Sequence, residues 1–262
     1  MHLPHLKISD FNNWKSYYFN YQKTLAESYY IPLLKSNDIN INADSKVLDV
    51  GCGDGGFLTA FSIISKKCDG IEIKDFNWNE KKSPHFIIGD ITSKSIKNKL
   101  KNKYDILILR DVIEHIKLEN KLNFINSIKN YMNDNSRLLI TFPPFYSPFG
   151  LHQQAFLKLP LKVIPFLGWL PKFIIKSLLY ISNQKNKWSD LEEIKDSKMT
   201  IRNFKKLIES SELEICYSER YFIRPSHEIR YGIKTKFANW MRIPIIEEMV
   251  ISGCTFILKQ KS

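Results

Sequence analysis

Five short apolar runs, separated by polar or helix-periodic segments, set the rhythm of the first half of the chain. Lys46–Val50, Cys68–Ile73, His85–Ile91, Asp105–Leu109 and Arg137–Phe142 have the length and near-continuous hydrophobicity of buried strands. The spacing between them predicts helices over Gly56–Ser65, Lys94–Lys101 and Leu118–Asn133. In the last of these, Leu122, Ile125, Ile128 and Met132 recur at helical intervals. Residues 11–35 are rich in aromatics at helix-like spacing and predict one or two helices ahead of the first strand. A further helix is expected over Thr200–Glu212 with Thr200 as its N-cap, followed by strands at Leu213–Ser218 and near Ser252–Lys259. Strands alternating with helices predict an α/β fold, a mostly parallel sheet covered on both faces. Ligands in such sheets sit beyond the carboxyl ends of the strands.

The alternation stops between residues 145 and 189, a stretch with no acid and six lysines. Within Phe156–Ile181, 17 of 26 residues are apolar, and Pro160, Pro165 and Pro171 interrupt them. Three prolines and four lysines argue against a transmembrane span. Two readings remain. One is a packed lid over the site. The other is a segment lying on a membrane, with Trp169, Phe173 and Leu178 inserted while Lys172 and Lys176 meet lipid phosphates.

Composition narrows the class. The chain of 262 residues is 44% hydrophobic and 25% charged, which is globular and large enough for a real core. No internal repeat or low-complexity linker divides it. One domain is therefore expected over 1–262: an N-terminal helical cap (1–40), a ligand-binding core (45–145), a cap insertion (146–198) and the C-terminal part of the sheet (199–262). Cys52, Cys68, Cys216 and Cys254 lie far apart, so neither a zinc motif nor a disulfide framework is indicated. A reduced, cytoplasmic compartment fits, and the first residues lack the pattern of a signal peptide. The net charge of +12 is compatible with nucleic acid, an anionic membrane or an anionic substrate.

The chemistry concentrates in VLDVGCGDGGFL, residues 47–58. Gly51, Gly53 and Gly56 satisfy G-x-G-x-x-G, the dinucleotide fingerprint. The same residues also read D-x-G-x-G-x-G from Asp49 to Gly55. Asp49 separates the two. A carboxylate at the mouth of the first strand repels a pyrophosphate, whereas it attracts the cationic amino and sulfonium groups of S-adenosylmethionine. Glu72, at the end of the second strand, can accept both ribose hydroxyls of either ligand. Asp90, after the third strand, can accept an adenine amine while the Ile91 amide donates to the ring.

With these residues in order, the chain resembles the class I S-adenosylmethionine-dependent methyltransferases, with VLDVGCGDGGF, GIEI, GDI and ILILRDVIEHI matching that family's successive motifs over roughly residues 45–145. The resemblance implies a Rossmann-like sheet of seven strands, the last antiparallel, and S-adenosylmethionine as cofactor. It implies that Asp49, Gly51 and Gly53 hold the methionine moiety, Glu72 the ribose, and Asp90 with Ile91 the adenine, with Cys52 also among the cofactor-binding residues. Arg110 and Asp111 would border cofactor and substrate. The group it most resembles methylates small molecules and lipid-pathway intermediates, including those of ubiquinone synthesis.

Methyl transfer to a hydroxyl needs alignment, exclusion of water and a base. His115, just after the fourth strand, is the first candidate for the base, with Asp111 beside it, and His152 is the second. Phe145 and Tyr146, in PPFY, are expected to shape the substrate wall. PPFY resembles the [DN]PP[YF] motif of nitrogen methylases only superficially, since Phe142 stands where an acceptor side chain is needed. Asp111, Glu114 and His115 form D-x-x-E-H, close to the E-x-x-E-H run with which some ubiquinone-group relatives hold magnesium; the expected state is without a metal. Arg220, Arg224 and Arg230 could meet a carboxylate or phosphate. The expected reaction is methyl transfer to an oxygen of a small or lipid-linked acceptor. RNA methylation, a non-catalytic S-adenosylmethionine-binding role and NAD(P) oxidoreduction are the rivals. DNA is not an expected partner.

Overall fold

The structure is a computed structural model that describes residues 2–78, 84–100 and 102–261. The chain opens with α1 (Trp14–Leu25), capped by the Asn13 side chain accepting from the Ser16 amide at 2.8 Å. A π-helical turn, Ala26–Tyr30, joins it to α2 (Ile31–Ser36). Then follow β1 (Lys46–Val50), α3 (Gly56–Ser62), β2 (Lys67–Glu72), β3 (His85–Ile88), α4 (Lys94–Lys99), β4 (Tyr104–Arg110), α5 (Lys121–Lys129) and β5 (Met132–Phe142). The insertion holds α6 (Gln153–Phe156), α7 (Lys172–Ile181) and α8 (Trp188–Ser197). The chain closes with α9 (Ile201–Glu209), β6 (Leu213–Ile223), α10 (Pro225–Tyr231), β7 (Lys236–Phe237), α11 (Pro244–Val250) and β8 (Gly253–Gln260).

The strands form one sheet in the order β3-β2-β1-β4-β5-β8-β6-β7. Neighbours from β3 to β5 pair in parallel, and β8 runs antiparallel between β5 and β6. The antiparallel last strand is as expected. The expected count of seven is one short, because Lys236–Phe237 adds a two-residue edge strand beside Tyr221 and Ile223. That pair carries too little periodicity to be seen in sequence.

Alternation along β1 and β4 sends side chains to two cores. Leu48, Leu107 and Leu109 face α5 and α9 through Phe124, Ile125, Ile128, Phe204 and Ile208. Val47, Ile106 and Ile108 face α1 and α3 through Tyr17, Tyr21, Phe57 and Phe61. Burial on both faces explains the continuous apolar runs. Thr200 caps α9 by accepting from the Asn203 amide at 2.9 Å. Several expected ends move. The third strand stops at Ile88, because Gly89 and the Asp90 turn break it. The helix expected over 118–133 covers Lys121–Lys129 after a short 3-10 turn. Lys101, at the end of one expected helix, lies outside the described residues.

The insertion has its own small core, in which Phe145, Leu151, Leu167, Ile175, Leu179, Leu191 and Ile194 pack together. It joins the main body where the Phe145 amide donates to the Met199 carbonyl at 2.7 Å. Among the described residues no helix is long and apolar enough to cross a membrane.

Candidate active site

The turn after β1 explains the glycines. Gly51 sits at φ +77°, and a Cβ there would lie 2.3 Å from Val112. Gly53 has φ +54°, but a Cβ there would meet nothing within 4 Å. The left-handed backbone at Gly53 favours glycine, and the space beside it is open for a ligand. Two acids flank that opening. Asp49 is 3% exposed, and its burial pushes the carboxyl up to about 7, against the pull of Arg110 and with the push of Glu72. Glu72 accepts from the Gly53 amide at 3.1 Å through Oε2 and from the Ile73 amide at 2.8 Å through Oε1. Asp90 is exposed, and its Oδ1 accepts from the amide and hydroxyl of Thr92, both at 2.8 Å. Ile91 beside it is buried.

Cys52 faces into the fold. Its side chain is buried against Gly70, burial drives its thiol pKa strongly up, and its amide donates to the Ile71 carbonyl. It serves the loop's shape. Trp78, which carries no sequence signal, donates from Nε1 to the Gly53 carbonyl at 3.0 Å and stacks on Phe86 at 4.9 Å. These rings wall one side of the loop.

Beyond β4 the charges are densely wired. The Arg110 guanidinium lies 4.8 Å above the Phe57 ring and 3.6 Å from Asp111 Oδ2. Asp111, at φ +53°, accepts from Arg224 Nη2 at both oxygens, 2.7 Å each, and from the Thr141 hydroxyl at 2.9 Å. Burial would raise its carboxyl, but Arg224 and Arg110 hold it well below the usual range. Asp111 is thus a clamp for two arginines. Arg230 adds a third guanidinium, 5.4 Å over Tyr21 and 5.1 Å over Tyr231; its Nε is buried without a hydrogen-bond partner among the described residues. Burial pushes the Tyr21 hydroxyl up to about 12, against the pull of Arg110 and Arg230. Sequence reasoning missed Tyr21, whose only signal is the aromatic density of residues 11–35. Arg220 is turned away, paired with Glu247 at 3.1 Å.

His115 ends a 3-10 turn, Ile113–His115, and donates from Nδ1 to Glu193 Oε1 of α8 at 2.9 Å. Burial lowers its pKa, but the Glu193 bond together with the charges of Glu114, Glu193 and Asp111 outweighs that, and the net shift is upward. His152, at φ +57°, is pushed down to about 3 by burial and by His115. Its Nε2 lies 3.6 Å from Glu114 Oε1, and burial raises Glu114 to about 7. So the structure brings His115 and His152 together, with ring centroids 5.5 Å apart. Asp111 is committed elsewhere. Phe145 is 3% exposed in the insertion core, while Tyr146 is partly exposed and its carbonyl accepts from Trp169 Nε1 at 3.0 Å.

This wiring lies at the carboxyl end of a parallel sheet, and residues 21–179 match the model of a methyltransferase domain. The chain belongs to the methyltransferase domain family. Among curated relatives, this methyltransferase is similar to the phosphoethanolamine N-methyltransferase of Plasmodium falciparum, at 33% identity over 113 residues. That match covers 40% of this chain and spans 41% of the relative's length. Solved structures share the fold at low identity. A plantazolicin methyltransferase in complex with SAH superposes with a TM-score of 0.55 at 11% identity, covering 93% of this chain and 86% of that one. An S-adenosylmethionine-dependent methyltransferase from Clostridium acetobutylicum gives 0.52 at 10%, covering 92% of each chain. The methyltransferase assignment made from the glycine loop and its acids is borne out. Its narrower placement beside the ubiquinone-pathway enzymes has no counterpart in these matches.

Proposed function

We propose that this methyltransferase transfers a methyl group from S-adenosylmethionine to a small acceptor that carries an anionic group, with oxygen as the accepting atom. The observation that carries the acceptor class is the arginine cluster. Arg110 and Arg224 share one carboxylate, Asp111, and Arg230 has no ion pair among the described residues. Two guanidiniums clamped by one acid, with a third over the Tyr21 ring, leave net positive charge around Tyr21. A carboxylate or phosphate ester fits that charge.

The residues around the glycine loop fit the donor. Asp49 offers negative charge to a cationic amino acid moiety, Glu72 offers oxygens to a ribose, and the space at Gly53 is open. When bound, S-adenosylmethionine supplies an electrophilic methyl group on a cationic sulfur. The chain supplies alignment and a proton acceptor. The arginines fix the acceptor's anionic end; His115, held through Nδ1 by Glu193, presents Nε2 to the acceptor's proton. As the carbon–oxygen bond forms and the carbon–sulfur bond breaks, that proton moves to His115 Nε2. The insertion that carries Glu193 excludes water from the same space.

A nitrogen acceptor is the second reading, favoured by the name of the curated relative. A lipid-linked acceptor is favoured by α7, which exposes Phe173, Tyr180 and Ile181 at 70, 75 and 81%. Lys172 is bound instead to Glu192 and Asp196, so the lipid-phosphate role expected for it is not supported. Leu178, expected to insert in lipid, packs against the insertion core.

Labelled-methyl transfer to matched acceptors with and without a carboxylate or phosphate tests the proposal. The anionic members should be methylated, and Arg230→Ala should raise their KM about tenfold or more without changing the affinity for SAH. Equal turnover of neutral and anionic acceptors, or label appearing only in RNA, would refute it.

A further inference from the structure

Three side chains beside the β4 exit converge with unused coordinating capacity. Glu114 is 2% exposed, and neither carboxylate oxygen has a hydrogen-bond partner among the described residues. His152 Nε2 is buried in the same state, 3.6 Å from Glu114 Oε1. The His115 ring meets His152 edge to face. One ligating atom from each of the three falls within 4.8 Å of the other two. The nearby Lys121 ammonium is spent on the Ile113 and Ile116 carbonyls and the Ser197 hydroxyl, so it does not bond to Glu114. A buried polar group left unpaired costs about 1–3 kcal/mol, and a bound cation would remove that cost for two groups at once.

We infer that Glu114, His115 and His152 form a binding site for one divalent transition-metal cation of the zinc class. The donor set decides the class. Two imidazoles with one carboxylate suit zinc and its neighbours, whereas magnesium and calcium favour oxygen ligands. Ligand bonds of about 2.1 Å place tetrahedral donors about 3.4 Å apart, so the side chains need to close by at most about 1.4 Å. Glu193 already holds His115 Nδ1, as an outer carboxylate orients a metal-bound imidazole, and this leaves Nε2 for the cation. The D-x-x-E-H run suggested Asp111, Glu114 and His115 as the ligands. Asp111 is occupied by Arg224, and His152 from the insertion takes its place in the cluster. Binding does not depend on the catalytic reading. Its effect on turnover rests on that reading: the cation takes the Nε2 assigned to the acceptor's proton, so the metal inhibits.

The test is zinc titration of the full, chelator-stripped chain against a chromophoric chelator, without donor or acceptor. One equivalent should bind, and cobalt should give the visible absorption of a four-coordinate site. His152→Ala and Glu114→Gln should each weaken binding about tenfold or more, and Glu193→Ala about 10–100-fold. His85→Ala, at the surface pair with Asp69, should change nothing. His152 is partly exposed, so its variant keeps the test decisive if Glu114→Gln does not fold. A dissociation constant above about 100 µM, or binding indifferent to His152→Ala, overturns the site. Zinc that binds as described yet leaves methyl transfer untouched upholds the site and refutes His115 as the base.

Discussion

A single nitrogen of Arg224, Nη2, reaches both oxygens of Asp111 at 2.7 Å, joining β6's exit to β4's exit across 113 positions of sequence. The partners are 16 and 26% exposed, so this ion pair is shielded and Arg110 leans on it as well. Removing the charge leaves two arginines short of a partner. Asp111→Asn, which keeps a residue tolerant of φ +53°, should cost about 2–4 kcal/mol in denaturant unfolding. The sign with pH follows: the folded carboxyl is depressed, so its contribution is complete above the ordinary carboxyl value near 4 and is lost as pH falls below it. Asp111→Asn should flatten that acid limb.

Asp49 behaves in the opposite sense. Its folded value near 7 lies above the unfolded value near 3.9. The unliganded chain therefore loses stability as pH rises from about 4 to about 7, and no more beyond. A cationic ligand favours the ionised form, so donor binding should release a proton near pH 6. Affinity should fall up to about tenfold per unit below pH 7. Calorimetry of S-adenosylmethionine binding in buffers of different ionisation enthalpy reads the proton directly, and Asp49→Asn should abolish it.

The Glu193–His115 bond predicts a shift in the rate profile. Glu193 raises the His115 pKa, and a base must be deprotonated to act. Glu193→Ala should move the acid-side inflection of kcat to lower pH while reducing the plateau. An unmoved inflection would remove His115 from the role of base.

The exposed trio on α7 predicts membrane contact. Replacing Phe173, Tyr180 and Ile181 together with serine should abolish sedimentation with anionic vesicles. It should leave transfer to a water-soluble acceptor unchanged.

The sequence made the sheet and the loop legible because both are local. Continuous apolar runs survive burial on two faces, and Gly51, where a Cβ would strike Val112, needs glycine wherever the chain goes next. Asp49, Glu72 and Asp90 stand out in the sequence because each lies at or just beyond the carboxyl end of a strand. The pairing of the charged side chains beyond β4 was not legible. Arg224 meets Asp111, Arg230 meets Tyr21, and Glu193 meets His115 only after distant segments fold together. Cys52 sits in a ligand-binding motif, yet its side chain is turned inward by packing against Gly70. Phe145, expected on the substrate wall, is consumed by the insertion's own core.

The account turns on what the loop after β1 binds. Calorimetric titration of the purified chain with S-adenosylmethionine and, separately, with NADH tests it most directly. Saturable binding of the sulfonium ligand, no heat with NADH, and a loss of about tenfold or more on Asp49→Asn at pH 8 are predicted. Tight binding of NADH, or sulfonium affinity indifferent to Asp49→Asn, would contradict it.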